Sequence, residues 1–336
     1  VFAYPDSDFM QVTRPHWAVG IKMHSARNRG YESINGENLQ GWFLSHGSMF
    51  HFLSGSEWRG CWPTLDWTRL PGTTVCAEIR EPSTSPFAGV LRESPERALA
   101  AMELTCGAFR ARKSWLIEPD AIVCVGSGIS GPGRTETTVF NQPVAAHAPL
   151  MIDGQAAPEA AFERETQPRW IWLERMGYVF APNQRVQIRR EERSFDWSGV
   201  REAHRHGAGE RRSTWFLTGF MAHDEDHRGY TYFVIPDVPL ERMAELSQSV
   251  PARYVIEANA AHRVAATDGT WEAAVLWEPG RAGPVNAEAG CLVMRQDTNW
   301  QAVDPAWSDR PLRLAVAERA VELKTARGRS VTLTGD

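Results

Sequence analysis

Four hydrogen-bonding side chains crowd into one short segment of the sequence. Glu32, Asn35, Glu37 and Asn38 place two carboxylates and two amides within seven residues, around the turn-forming Gly36. Carboxylates and amides are groups that hold sugar hydroxyls and that position or exchange protons in catalysis. Polar groups this concentrated are typical of a ligand-binding loop rather than of a packed core.

A second segment, residues 61–74, adds rigid aromatic surface. It contains Trp62 and Trp67 and a turn at Pro71-Gly72. The chain has 14 tryptophans, a residue that is common on carbohydrate-contacting surfaces and is also used in large β cores. We therefore expect only a minority of them to bind a ligand, and the two segments together favour a sugar-binding face.

A purely structural role remains open for each of these residues. Asn35-Gly36 is a common turn dipeptide, and Glu32 can cap neighbouring backbone amides. Trp62 can equally pack in a core or between domains. Asp66 fits a turn cap or a solvated carboxylate better than a cation ligand.

One further cluster has the residue types of a metal site. Residues 223–227 read His-Asp-Glu-Asp-His, but they lie between two strand patterns at a predicted hairpin tip, where polar residues collect without a ligand. We predict no metal there and no metal or cofactor elsewhere. His204 and His206, flanked by Gly and Arg, are expected in an exposed loop.

Composition limits the partners of the chain. Its 336 residues carry a net charge of −5, which gives no electrostatic reason to bind nucleic acid or an anionic membrane. No run of 18 apolar residues is present. The chain begins without Met or a signal-peptide pattern, and we expect it to be a piece of a longer protein. Five cysteines without metal-binding spacing predict buried free thiols, although Cys61 and Cys76 remain a conceivable pair.

The elements that must position these residues are predicted to be strands. Period-two patterns at residues 17–24, 114–117, 121–126, 136–140 and many later segments are separated by turn residues. Residues 93–103 fit either a short helix or an Ala-rich strand entry, and 240–248 fit a short amphipathic helix. The Gly-rich run 126–131 predicts a wide β-turn. The sequence thus indicates an all-β protein with a large antiparallel sandwich over 1–250 and a smaller β-sandwich over 251–336.

Several motifs in order resemble polysaccharide lyase family 8, which includes hyaluronate, chondroitin AC and xanthan lyases. The matching residues begin with Ser25-x-Arg27 and continue with Tyr31-Glu32-Ser33-Ile34-Asn35-x-Glu37-Asn38, Gly41-Trp42, Trp62-Pro63-Thr64, Leu70-Pro71-Gly72-Thr73-Thr74, Lys113-Ser114-Trp115, Gly126-x-Gly128-Ile129, residues 136–142, Gly177-Tyr178-Val179-Phe180 and Tyr230-x-Tyr232-x-Val234-Ile235-Pro236. The resemblance covers essentially the whole chain.

The resemblance implies a three-part enzyme of which this chain matches two parts. Family members look like three-part enzymes that consist of an N-terminal α/α toroid, a central galactose-mutarotase-like β-supersandwich and a small C-terminal β-sandwich. The family's catalytic Asn, His and Tyr, with a partnering Arg, lie on the toroid. By position, Glu32 and Asn35 match the contribution of the central domain, and Arg27, Glu37, Asn38 and Trp62 are the expected substrate-binding residues.

The implied reaction is β-elimination at a hexosaminyl–uronic acid linkage of hyaluronan or chondroitin, with xanthan less favoured. The uronate carboxylate must be neutralised, a base must remove the C5 proton, and an acid must protonate the leaving O4. Tyr and His take these proton transfers in the family, and no metal is needed. We expect the chain alone to be inactive, the partner to be a toroid domain or chain, and the protein to be secreted or periplasmic. The alternative is a non-catalytic carbohydrate-binding β-module.

Overall fold

A computed structural model describes residues 1–80, 83–204, 211–308, 311–316, 319–323 and 328–333 of the chain. These residues form five antiparallel β-sheets and one short α-helix. This confirms the all-β prediction, and the short helix α1 (Met243–Ser249), entered through a 3₁₀ turn at Leu240–Arg242, confirms the amphipathic segment at 240–248. No helix in the described ranges is long and apolar enough to cross a bilayer.

The strands of the first half are β1 (Phe2–Tyr4), β2 (Phe9–Thr13), β3 (Ala18–Lys22), β4 (Ser48–Phe52), β5 (Thr74–Cys76), β6 (Ala88–Arg92), β7 (Ala98–Cys106), β8 (Phe109–Ile117), β9 (Ile122–Ser130), β10 (Thr135–Val144), β11 (Leu150–Ile152), β12 (Gln155–Ala156), β13 (Phe162–Thr166) and β14 (Trp170–Leu173). The remaining strands are β15 (Met176–Phe180), β16 (Val186–Phe195), β17 (Arg212–His223), β18 (Tyr230–Ile235), β19 (Tyr254–Ala258), β20 (Ala261–Ala266), β21 (Trp271–Leu276), β22 (Gly280–Ala282), β23 (Val285–Ala287), β24 (Cys291–Gln296), β25 (Asn299–Val303), β26 (Leu312–Val316), β27 (Arg319–Leu323) and β28 (Val331–Leu333). Other 3₁₀ turns span Pro5–Ser7, Ile34–Gly36, Gly41–Phe43, Trp62–Thr64, Trp197–Gly199, Glu202–His204 and Pro251–Arg253.

A nine-stranded sheet in the order β12-β11-β14-β15-β18-β9-β8-β7-β6 is the centre of the molecule. One face packs against the sheets β1-β2-β3-β4 and β13-β16-β17-β10-β5 through a core that contains Met10, Trp115 and Ile188. The other face packs against the sheet β19-β20-β21-β24-β25-β28. A last sheet, β22-β23-β26-β27, covers the far side of that one.

The strand β7 shows why residues 93–103 were ambiguous in sequence. Its alternate residues enter opposite cores, with Ala98, Ala100 and Met102 on one side and Leu99 and Ala101 on the other. Because both faces are buried, the strand reads as a continuous apolar run without alternation. The strand interpretation is therefore confirmed, and the helix interpretation is wrong.

The predicted wide turn at 126–131 is also wrong, since Gly126 to Ser130 continue β9. Gly126 lies against the ring of Tyr230, where a Cβ atom would approach within 2.2 Å, and Gly128 has a φ of 59° beside a register shift in the β8–β9 pairing. The glycines thus serve a close approach and a bulge inside a strand.

Candidate functional site

The segment Tyr31–Asn38, here named the 31–38 loop, lies between β3 and β4. Glu32, Asn35 and Glu37 are exposed, and none of their side chains has a hydrogen-bond or ion-pair partner in the described part of the chain. Asn35 and Gly36 have φ angles of 54° and 64°. The turn therefore adopts the left-handed conformation that Asn-Gly favours, while its carboxylates and amide stay free to bind another molecule.

Neighbouring segments anchor both ends of the loop. The Tyr31 ring packs on Trp42 at a centroid distance of 4.8 Å, and its hydroxyl donates to the Asn38 carbonyl. The Asn38 side chain accepts from the Gln40 amide at 2.9 Å. The Leu39 backbone N–H then donates to the Val200 carbonyl at 2.8 Å, and the Gln40 side-chain amide donates to the Gly199 carbonyl at 3.0 Å. The backbone carbonyl and the side-chain oxygen of Asn38 therefore both accept hydrogen bonds that hold the loop closed.

A histidine pair lies beneath the entrance to the loop. His24 Nε2 and His46 Nε2 share the Ser83 hydroxyl at 2.9 and 2.8 Å, and His24 Nδ1 contacts the Ser45 carbonyl at 2.9 Å. Burial lowers the pKa of both imidazoles, that of His46 strongly. Two neutral imidazole rings therefore support the start of the 31–38 loop. They were not predicted from the sequence, because their hydrogen-bond partners lie far apart in the chain.

Arg27 lies away from the exposed face of the loop. Its guanidinium donates to Asp8 Oδ1 at 2.8 Å, to the Ala88 and Pro305 carbonyls at 3.1 Å, and packs over the Trp307 ring. These contacts join the first hairpin, β6 and the segment after β25. The structure thus gives Arg27 three internal acceptors, and none of its contacts in the described ranges brings it together with Glu32 or Asn35.

Trp62 lies in an aromatic cluster beside the loop. Its ring is 6.0 Å from Phe50, 6.4 Å from Trp58 and 6.0 Å from Trp67, and its carbonyl accepts from Trp67 Nε1 at 3.2 Å. Cys61 is buried at the base of this cluster and is not joined to Cys76. All five thiols are free and buried, as the sequence predicted.

A buried ion cluster supports the segment that carries the tryptophans. Arg69 binds Glu136 through two hydrogen bonds of 2.9 and 3.1 Å and reaches Asp66 at 3.1 Å. The Asp66 carboxyl also accepts hydrogen bonds from Thr68. Burial raises the pKa of this carboxyl, but the Thr68 hydrogen bonds and the Arg69 charge outweigh burial and hold the pKa below its usual value. Asn141 of β10 donates to the Arg69 carbonyl at 2.8 Å. Asp66 is therefore an ionised internal acceptor.

A cleft of about 410 Å³ lies beside the loop. We name it the Arg80–Arg211 cleft; Gln40, Trp67, Thr68, Arg80, Phe195 and Arg211 are among its lining residues. Gln40 follows the 31–38 loop directly, so that the two features are continuous. The described lining contains no tyrosine or histidine, the residue types that usually act as acid and base in this kind of site.

The cluster at 223–227 lies at the hairpin between β17 and β18, as predicted. Asp224 Oδ1 contacts His227 Nδ1 at 2.7 Å, and Asp224 Oδ2 accepts from Arg185 at 3.0 Å. Within the described ranges, no group of three His, Cys, Asp or Glu side chains is arranged to hold a metal ion. His206 lies outside the described residues, and His204 is described only as the end of a 3₁₀ turn.

Residues 1–247 match the family model described as polysaccharide lyase family 8, super-sandwich domain. The chain belongs to polysaccharide lyase family 8. It is 30% identical over 308 residues to a hyaluronate lyase of Thermasporomyces composti, covering 84% of this chain and 39% of that protein. It is 31% identical over 217 residues to a xanthan lyase of Bacillus sp. (strain GL1), covering 59% and 23%.

Solved structures agree on the fold. A Paenibacillus xanthan lyase superimposes with a TM-score of 0.89 at 24% identity, over 99% of this chain and 37% of that one. A chondroitin AC lyase of Streptomyces coelicolor A3 gives 0.80 at 24% identity, over 97% and 48%. This family 8 chain therefore spans less than half the length of these relatives.

Proposed function

We propose that this chain is the β-domain part of a polysaccharide lyase that cleaves hyaluronan or chondroitin by β-elimination. The observation that carries the proposal is the 31–38 loop, where Glu32 and Asn35 of the family motif are exposed, have no side-chain partner among the described residues and lie near an aromatic cleft. Free polar groups next to a cleft are available to a substrate or to another domain, whereas groups with internal partners are not.

The reaction assigns a different task to each of the two residues. Removal of the C5 proton requires that the adjacent uronate carboxylate be neutralised by hydrogen bonds or by a cation. In our proposal the Asn35 amide donates a hydrogen bond to the sugar. The Glu32 carboxylate pairs with a cationic side chain of another domain and orients it toward the substrate. The exposed Glu37 carboxylate is a further acceptor for sugar hydroxyls. Trp62 backs the cleft through its contact with Trp67.

The acid and base are proposed to come from outside this chain, on an α/α toroid that is a further domain or a partner chain. The tyrosines at 178, 230 and 232 in this chain are buried, and burial raises the pKa of each phenol. Such groups are poor candidates for proton transfer to a polymer in solution. We also propose a secreted or periplasmic location, since a polymeric substrate is met there.

The test is an ultraviolet assay for the conjugated double bond that elimination leaves on the product. The chain is mixed with the toroid segment of its parent protein and given hyaluronan, chondroitin and xanthan separately. We expect absorbance to grow with hyaluronan or chondroitin. A mixture that binds these polymers without forming the double bond would contradict the proposal and favour a non-catalytic carbohydrate-binding module.

A further inference from the structure

Two arginines at the Arg80–Arg211 cleft have unused hydrogen-bonding capacity. Arg80 makes no hydrogen bond or ion pair with any residue that the structure describes. Arg211 donates from Nε to Ser194 Oγ at 2.9 Å and from Nη2 to the Ser194 carbonyl at 3.1 Å, which fixes the guanidinium, and Nη1 has no partner within the described ranges. A planar guanidinium with free N–H groups is well suited to bind a carboxylate or a sulfate.

The carboxylates of the cleft already have internal partners. Asp66 accepts from Thr68 and Arg69, as described above. Asp196 accepts from the Ser198 amide at 2.8 Å and from the Ser198 hydroxyl, and these bonds lower the pKa of its carboxyl. Neither Asp is within ion-pair distance of Arg80 or Arg211 in the described ranges, although the nearby Arg211 charge also helps to lower the pKa of the Asp196 carboxyl. The guanidinium N–H groups that these carboxylates do not engage remain available to a bound anion.

Aromatic side chains lie on the same cleft. Phe195, the last residue of β16, is 56% exposed, which is unusual for a large apolar side chain. Trp67 is held in place by its indole hydrogen bond to the Trp62 carbonyl. The C–H face of a pyranose ring packs well on such aromatic surfaces.

We infer that the Arg80–Arg211 cleft is a binding subsite for an acidic sugar residue of the polysaccharide. Arg80 and Arg211 bind its carboxylate or sulfate, and Phe195 and Trp67 contact its ring. The inference rests on the proposed function for the identity of the polymer. Because Gln40 joins the cleft to the 31–38 loop, a chain bound at Glu32 extends into this subsite, one or more sugars away from the bond that is cut.

The experiment measures oligosaccharide binding to this chain alone by isothermal titration calorimetry. The probes are a hyaluronan tetrasaccharide, a chondroitin 4-sulfate tetrasaccharide and uncharged N-acetylchitotetraose. We expect the acidic probes to bind at least tenfold more tightly than the uncharged one. Equal affinity for both acidic probes assigns the carboxylate as the bound group, and binding of the sulfated probe alone assigns the sulfate.

Variants locate the binding. Arg80→Gln and Arg211→Gln should each weaken binding of the acidic probes about tenfold, the loss expected for one charge-assisted contact. Arg281→Gln, at an exposed arginine on β22, is the matched control and should leave the affinity unchanged. Circular dichroism melting curves check that each variant is folded. Wild-type affinity in both cleft variants, or equal binding of charged and uncharged probes, would overturn the inference.

The inference and the proposed function fail in different ways. Acidic probes that bind through Arg80 and Arg211 while no unsaturated product forms contradict the lyase proposal alone. Elimination that proceeds with unchanged KM in the double variant Arg80→Gln/Arg211→Gln contradicts the subsite alone.

Discussion

At the scale of single residues, Asn35 combines a backbone role with a chemical one. Its φ of 54°, followed by a φ of 64° at Gly36, sets the shape of the turn. Its amide nevertheless is exposed and has no partner in the described chain. Sequence spacing alone does not separate these roles, because Asn-Gly is favoured by the turn whatever the amide does.

Glycine at position 35 separates the two roles experimentally. Asn35→Gly keeps the left-handed turn and removes the amide, whereas Asn35→Ala removes the amide and adds about 1 kcal/mol of backbone strain. If the amide binds substrate, both variants should lose on the order of 100-fold in elimination rate in the mixture with the toroid segment. A fully active Asn35→Gly would show that only the turn matters. Glu32→Gln should lose activity to a similar degree without a change in melting temperature, since the Glu32 carboxylate is exposed and has no partner in the part of the chain that the structure describes.

Trp62 packs against three other aromatic rings. It was predicted to bind substrate, and its ring contacts Phe50, Trp58 and Trp67. We expect Trp62→Ala to reduce the free energy of unfolding by about 2 kcal/mol through lost packing, measured by urea denaturation. Trp62→Phe should recover most of this loss. Unchanged stability in the alanine variant would contradict a packing role and favour a direct contact with sugar.

At the level of secondary-structure elements, His262 of β20 forms hydrogen bonds to two strands of the nine-stranded sheet. His262 bridges the Ser114 hydroxyl of β8 at 2.8 Å and the Ser127 hydroxyl of β9 at 2.7 Å. A neutral imidazole donates from one nitrogen and accepts at the other, so it satisfies both bonds. No local sequence pattern predicts this link, because His262 lies more than 100 positions along the chain from both serines.

This link makes stability depend on pH. Burial lowers the pKa of His262 to about 3 and that of His51 to about 4, whereas both return to roughly 6.5 in the unfolded chain. Below pH 6.5 the unfolded state therefore binds protons that the folded state excludes, and folding weakens as the pH falls toward the folded pKa. Each histidine contributes about 1.4 kcal/mol per pH unit within that window.

The variant His262→Gln tests the assignment, since an amide can also donate to one hydroxyl and accept from the other. We expect the wild type to lose about 1 kcal/mol more unfolding free energy between pH 6 and pH 5 than the variant does. Urea denaturation at the two pH values provides the measurement. Identical losses in the two proteins would show that His262 is not the group responsible.

The elements also show which parts of the fold the sequence can specify. Half-buried strands such as β3 alternate clearly and were predicted, as was the helix α1. Strand β7, buried on both faces, was predicted only as an alternative to a helix, and the Gly-rich end of β9 was predicted as a turn. In both cases the missing information is what packs on the second face, which lies in distant parts of the chain. The same applies to Arg27, whose partners Asp8, Ala88 and Pro305 no local pattern reveals.

At the scale of the whole molecule, one hydrophobic core joins the sheets on either side of residue 250. Leu99, Val123 and Phe233 of the nine-stranded sheet share it with Val275 and Leu292 of the following sheet. The last strand before the predicted boundary ends at Ile235, and the next begins at Tyr254. The division into 1–250 and 251–336 remains a prediction, but the shared core indicates that the two parts are not independent.

A fragment of residues 1–250 should therefore be unstable. It would expose the apolar outer face of the nine-stranded sheet, and we expect it to aggregate or to melt well below the full chain. Calorimetry of the full chain should show a single unfolding transition. Two separate transitions, or a monomeric 1–250 fragment with the melting temperature of the full chain in sedimentation and melting experiments, would contradict a shared core.

The central claim is that this chain supplies one side of a lyase site and that the acid and base come from a toroid. The most direct test compares unsaturated product formed from hyaluronan and chondroitin by the chain alone, by the toroid segment alone and by their mixture. We predict no product from either part, product from the mixture, and loss of that product with Glu32→Gln. Robust elimination by this chain alone would contradict the claim, because a complete acid and base would then have to lie among its own tyrosines and histidines.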